Sequence, residues 1–310
     1  MHYYKGKFNA YQRTYVLDNF SEHIMFVKYF LTMFLQSHIQ TNKNEGNTPY
    51  IVMATLKDFE ILLPPLNEQI AIANILSDVD RYLYTLDALI LKKESVKKAL
   101  SFELLSQRKR LKGFNQNWQR VRLGDIAEII GGGTPSTQIT SFWNGSINWF
   151  TPTEIGITKY VYKSQRTITP LGLKKSSAKL LPIGTILLTS RASIGDCAIL
   201  KVVATTNQGF QSLIPLEKIN NEFLYYLILT LKNKLLELAS GSTFLEVSPN
   251  KIKNLLIPLP PLNEQIAIAN ILSALDNEII SLKNKKRQFD NIKKALNHDL
   301  MSAKIRVLKK

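Results

Sequence analysis

The side chains best suited to reading a nucleic acid sit in polar loops and in one lysine-rich stretch. Thr134, Ser136 and Thr137 follow three consecutive glycines at 131–133, and Arg191 stands in Thr189-Ser190-Arg191-Ala192-Ser193. Asn207, Gln208 and Gln211 lie in a further polar loop at 205–211. Arginine suits the O6/N7 edge of guanine, Asn and Gln suit the N6/N7 edge of adenine, and loops can aim such groups. Arg191, Asn207, Gln208 and Gln211 are therefore the expected base readers, with Thr134 and Ser136 behind them. Lys159, Lys163, Arg166, Lys174, Lys175 and Lys179 fall between 159 and 179 with no acid among them. Such a cluster suits phosphates; a solvated basic face is the plainer alternative. Trp143 and Trp149, flanking Asn144-Gly145, are expected in a core rather than as stacking platforms.

Signatures of catalysis are thin. Gly6-Lys7 is followed by Phe8, so no phosphate-binding loop is present, and no acid stands two positions before a lysine. Asn47-Thr48-Pro49-Tyr50 is a distant likeness of an amino-methyltransferase loop, but without an upstream glycine-rich strand it reads as a turn. His2, His23, His38 and His298 are scattered, and Cys197 is the only cysteine, so no metal site is expected. Forty Lys and Arg against 24 Asp and Glu give a net charge of +16, a field that attracts polyanions. The start lacks an apolar leader, and the apolar runs at 24–35 and 223–231 are too short to span a bilayer. A soluble cytoplasmic chain is expected, with no catalytic residues and no directly bound cofactor.

The elements that position these groups are set out by a duplication. The fourteen residues from Pro64 to Ser77 recur unchanged from Pro260 to Ser273, and Lys97-Lys98-Ala99-Leu100 returns as Lys293-Lys294-Ala295-Leu296. After each Pro-Pro, apolar residues step by threes and fours with no Gly or Pro, which is the narrow stripe of a coiled-coil seam. The forty-odd residues from Leu66 would extend on the order of 65 Å as a helix. Antiparallel packing of the two copies is expected, with each helix folding back on its own domain as the alternative. Leu66, Ile70, Leu76 and Leu83, with Leu262, Ile266, Leu272 and Ile279, are the expected seam and docking residues.

Between the helices, residues 114–261 read as short β-rich runs broken by turns, then one helix at 221–239 and a short strand at 255–259. That is a compact mixed domain of the α+β class. Residues 1–65 resemble only the last part of such a domain, with a helix from about 22 to 40. The expected plan is a truncated first domain (1–65), a first repeated helix (66–113), a complete second domain (114–261), and a second helix with a basic tail (262–310).

This pattern resembles the DNA-specificity subunit of type I restriction–modification systems. The repeated Pro-Pro-Leu-Asn-Glu-Gln-Ile-Ala-Ile-Ala-Asn-Ile-Leu-Ser block looks like the start of that family's repeated helix. Gly113-Phe114, Trp118 and Leu123-Gly124-Asp125-Ile126 resemble the entry to a target-recognition domain. Gly132-Gly133-Thr134-Pro135-Ser136, the run from Phe142 to Trp149, the run from Ser190 to Gly195 and the run from Asn207 to Phe210 look like its internal blocks. The run from Gly6 to Arg13 resembles a block late in such a domain. The resemblance implies target-recognition domains separated by two long helices forming an antiparallel coiled coil. It implies a non-catalytic reader of double-stranded DNA whose helices set a spacer and dock type I modification (methyltransferase) subunits. Those partners would use S-adenosylmethionine, and a type I restriction subunit would use ATP and Mg. The short first domain leaves a second reading open: a rearranged copy that is inactive alone, or that needs self-dimerisation to restore a two-part reader.

Overall fold

The computed structural model describes residues 1–12, 14–41, 51–241 and 245–308. The Asn47–Tyr50 turn, Arg13 and Ser242 lie outside the described residues. The chain divides into two compact units, one of residues 1–93 with 279–310 and the other of residues 94–278. The division falls inside the two long helices, so each helix contributes to both units.

The first unit holds α1 (Ile24–Thr41), α2 (Met53–Lys57) and most of α3 (Leu66–Leu105). Phe26, Val27, Tyr29, Phe30 and Leu31 of α1 pack on Ile72, Ala73 and Leu76 of α3. Burying each such side chain stabilises by about 1.5–3 kcal/mol.

The second unit begins with the end of α3 and continues through β1 (Gln119–Arg122), a 3-10 turn (Leu123–Asp125), β2 (Ala127–Gly131), β3 (Trp143–Phe150), β4 (Tyr160–Val161) and β5 (Arg166–Ile168). There follow α4 (Pro170–Lys174), β6 (Ile186–Leu188), β7 (Cys197–Leu200), β8 (Ala204–Thr206), β9 (Gln211–Pro215), α5 (Asn221–Thr230), α6 (Lys232–Leu238), α7 (Pro249–Lys253), β10 (Leu256–Leu259) and α8 (Leu262–Met301). The strands make a five-stranded sheet in the order β2-β9-β6-β7-β4, a three-stranded sheet β5-β3-β8, and the pair β1-β10. α5 buries Phe223, Leu224 and Ile228 in a core shared with Leu104, Ile268, Ala269 and Leu272 of the long helices. The single helix expected over 221–239 is two. It turns at Leu231, where φ −92° and ψ 2° leave the helical path, and the Thr230 hydroxyl donates back to the Leu227 carbonyl (2.7 Å).

α3 and α8 pack antiparallel in each unit. In the first unit Asp80 pairs with Lys293, Asp87 with Lys286 (2.7 Å), and the Tyr82 and Phe289 rings lie 4.5 Å apart. In the second, Lys97 pairs with Asp276. Numbers fall on one helix as they rise on the other, and Lys97–Asp276 repeats Lys293–Asp80 with the copies exchanged.

The expected seam needs one correction. Leu76, Leu83, Leu272 and Ile279 are buried, but Leu66 is 52% exposed, and Ile70, Leu262 and Ile266 are exposed as well. The first turns of each helix bury Ile72 and Ala73, or Ile268 and Ala269, against their own globular neighbours. Leu66 and Ile70 consequently point away from that contact. Pairing along the helix and folding back at its start thus occur together.

Candidate nucleic-acid interface

Three segments of the second unit converge because glycine permits it. The Gly133 amide donates to the Thr206 carbonyl (2.8 Å), and its carbonyl accepts from Trp149 Nε1 (2.9 Å). A Cβ on Gly132 would fall 1.8 Å from the Asn207 carbonyl oxygen, and one on Gly133 2.3 Å from Ser177 Oγ. Only a residue without a side chain fits between those backbones. The Gly-rich loop is thereby held against both the 205–211 loop and the basic 174–179 segment. Thr134 Oγ1 donates to Gln208 Oε1 across this junction, and Ser136 holds the loop by accepting from Trp143 Nε1 (3.0 Å) on its carbonyl. Gln208 and Ser136 are exposed.

Trp143 and Trp149 are buried, as expected, and meet edge to face at 5.0 Å. They also carry a cation. The Arg166 guanidinium lies 3.8 Å from the Trp143 ring centre and 5.3 Å from that of Trp149. Stacking on two rings orients an otherwise flexible side chain. Lys163, Lys174, Lys175 and Lys179 are exposed. Lys174 closes α4, whose start is capped by Thr169 Oγ1 accepting from the Gly172 amide (3.0 Å).

Other expected residues sit differently. Lys159 is not placed to hold a phosphate: its side chain is only 11% exposed and forms an ion pair with Glu222. Its Nζ also donates to Tyr226 Oη (3.0 Å) and Ser273 Oγ (2.7 Å), so the ammonium is turned into the unit. Gln211 is buried on β9 opposite Gly131, and its Oε1 accepts no hydrogen bond among the described residues. A base edge would not meet it there. Asn207 Oδ1 accepts from the Gly209 amide (2.9 Å), shaping the loop. Arg191 is half-exposed and paired with Glu246 (2.8 Å), beside Ala192 at φ +52°.

A second set of residues was not anticipated. Glu264, fully buried, accepts from Arg110 Nη2 and Trp118 Nε1, both at 2.9 Å. In the first unit Glu68 accepts from Arg306 Nε (3.1 Å) and Nη2 (2.7 Å). The Arg306 guanidinium holds the Glu68 carboxyl below the usual carboxylate range. Gln69 and Gln265 each donate to the first proline carbonyl of their repeat at 2.9 Å. Tyr29 Oη donates to Asp80 (2.7 Å) as Tyr226 Oη donates to Asp276 (2.6 Å). Burial, with the neighbouring carboxylates, pushes Tyr29 up to about 12 and Tyr226 higher still. The available signal was the repeat: Arg110 and Arg306 stand at the same offset as Glu68 and Glu264. The exposed face repeats too, as Leu66, Asn67, Ile70 and Asn74, and as Leu262, Asn263, Ile266 and Asn270.

Among the described residues no helix is long and apolar enough to cross a membrane, and no His/Cys/Asp/Glu group forms a metal cluster.

The sequence and fold coincide with those of a known family. The type I restriction modification DNA specificity domain matches residues 1–94 and 115–289, and the chain belongs to that family. The specificity subunit of the type I restriction enzyme MjaIX from Methanocaldococcus jannaschii is 42% identical over 183 residues, which is 58% of this chain and 42% of that protein. The putative MjaX specificity subunit of the same organism is 30% identical over 316 residues, 98% of this chain and 70% of that protein. The EcoR124I/EcoR124II specificity subunit of Escherichia coli is 37% identical over 161 residues, 50% of this chain and 40% of that protein. The chain thus matches less than half the length of the first and third. A crystal structure of the type I restriction–modification S subunit from M. genitalium superposes with TM-score 0.61 at 20% identity, over 89% of this chain and 72% of that one. The HsdS subunit from Thermoanaerobacter tengcongensis gives 0.56 at 19% identity, over 89% and 69%. These two likenesses establish the fold.

Proposed function

We propose that the chain acts without catalysis of its own, in the cytoplasm, as a reader of double-stranded DNA within a type I restriction–modification assembly. The β-rich part of the second unit would read one half-site. The observation that carries this reading is the convergence of Thr134, Ser136 and Gln208 beside the stacked Arg166 and the exposed Lys163, Lys174, Lys175 and Lys179. Polar groups for base edges there border cations for phosphates, which is the division of labour sequence-specific binding requires.

The antiparallel helices would set the spacer between half-sites. Their repeated exposed faces, Leu66 with Ile70 and Leu262 with Ile266, would each dock a modification subunit. That subunit would bring S-adenosylmethionine-dependent methylation, and a restriction subunit would bring ATP- and Mg-dependent cleavage. The test is to combine the chain with a modification subunit and measure binding to a random DNA pool. Enrichment of one sequence supports the proposal; binding without preference, or methylation by the chain alone, contradicts it.

A further inference from the structure

Arg166 and Arg191 both belong to the surroundings of the polar loops, and they are held in different ways. The Ser190 amide donates to the Gly209 carbonyl (2.8 Å), which sets Arg191 next to the 205–211 loop, but its guanidinium is already paired with Glu246. Arg166 is exposed, and among the described residues no carboxylate pairs with it. Glu154 accepts from the neighbouring Gln165 amide (2.7 Å), and its other oxygen accepts from the Thr151 amide and hydroxyl, both at 2.8 Å. That carboxylate serves its own turn and leaves the arginine alone.

Rings hold Arg166 instead. β5 places it opposite Trp149 of β3, and the buried Ser164 hydroxyl locks the pair by donating to the Arg166 carbonyl and accepting from the Trp149 amide (2.9 Å). The guanidinium then rests against Trp143 and Trp149. Each of these indoles also donates its Nε1–H to the glycine-rich loop, Trp149 to the Gly133 carbonyl and Trp143 to the Ser136 carbonyl. One tryptophan pair therefore positions both the arginine and the loop that carries Thr134 and Ser136. A phosphate requires charge, which a flexible lysine supplies, and Lys163, Lys174, Lys175 and Lys179 are exposed for that purpose. A guanine edge requires two parallel N–H groups in a fixed plane. A ring-stacked guanidinium offers them with little further loss of side-chain freedom.

We infer that Arg166 is a base-reading residue whose guanidinium pairs with O6 and N7 of one guanine in the major groove, with Trp143 and Trp149 as its positioning residues. The inference rests on the β-rich part being the half-site reader, and it moves Arg166 from the phosphate side of that site to the base side. Reading by Arg191 would first have to break its pair with Glu246; reading by Arg166 breaks no ion pair.

The test combines the full chain with a modification subunit and selects from a random DNA pool, with the Arg166→Gln and Arg166→Lys chains run beside the unaltered one. The unaltered chain should enrich a site with a guanine that Arg166→Gln no longer requires, a loss of roughly 5- to 150-fold in discrimination at that position alone. Arg166→Lys keeps the charge without the planar fork, so it should weaken preference for the same guanine and leave the salt dependence unchanged. Because it keeps a cation beside the rings, it reports on reading even where Arg166→Gln weakens the fold. Enrichment of one unchanged site by all three chains, with only affinity and salt dependence reduced in Arg166→Gln, would overturn this inference alone and return Arg166 to a phosphate. Preference lost at every position at once would overturn it too, by making the stack a structural support. No enrichment by the unaltered chain would overturn the half-site reading, and this inference with it.

Discussion

The starts of α3 and α8 are the same fourteen residues placed against different neighbours. What they do alike is fixed by the repeat itself. Each buries its Glu, turns its Gln back to the proline carbonyl, and accepts with its Asp from a tyrosine of an earlier helix, Tyr29 of α1 or Tyr226 of α5. What they do differently comes from the partners. Glu264 is fully buried against Arg110 and Trp118, with Arg110 a quarter exposed, whereas Glu68 meets Arg306, whose side chain is half-exposed. Lys159 is added in the second unit to a Tyr226–Asp276–Lys97 group that otherwise repeats the Tyr29–Asp80–Lys293 group of the first. One sequence thus serves as a common scaffold while the attached segments set how rigidly it is held.

The largest expected effect separates the two glutamates. Glu264→Ala leaves Arg110 and Trp118 without their acceptor and should cost about 3 kcal/mol, at the low end for a broken buried pair because Arg110 keeps some water. Glu68→Ala should cost clearly less. Denaturant unfolding of both variants measures the gap, and equal losses would break the comparison.

Lys159→Met should come next. It removes two hydrogen bonds and an ion pair from the second unit, a loss of about 1–3 kcal/mol. Hydrogen exchange should report it across α5 and the start of α8 while leaving α1 unchanged. The smallest effect concerns acid. Because Arg306 lowers the Glu68 pKa below its ordinary 4.5, its contribution is present above that value and fades as pH falls through the depressed one. Glu68→Gln should therefore flatten the acid limb of the stability curve by lowering the neutral plateau slightly toward the acid value. An unchanged acid limb would remove Arg306 as the cause.

The helix pair was legible because spacing by threes and fours specifies a buried stripe, and the duplication supplied the partner. Which end of the stripe meets the other helix was not. Leu66, Ile70, Leu262 and Ile266 satisfy the spacing yet are exposed, since a period defines a face and not what covers it. The run of glycines permits a close approach at 132 and 133 but does not name the partner, which is backbone of the same domain at Asn207 and Ser177. Lys159 was misplaced because a lysine in a basic stretch looks the same whether it points to water or toward Tyr226 and Ser273. Gln211 looked like a loop reader but lies on β9, where pairing with Gly131 buries it. The Arg166 stack combines two features that were read separately, a cation for phosphates and a pair of core tryptophans.

The most direct measurement maps methylated positions in DNA exposed to a modification subunit with this chain, with its Gln208→Ala variant, and with Lys174, Lys175 and Lys179 changed to Ala. The account predicts a change of preferred sequence with Gln208→Ala, at a cost of about 1–3 kcal/mol at one base. It predicts the same sequence at lower occupancy for the lysine variant, with a salt dependence shallower by about 0.9 for each phosphate no longer neutralised. An unaltered sequence with Gln208→Ala, or an altered one with the lysine variant, would contradict the division between reading loop and phosphate-holding edge.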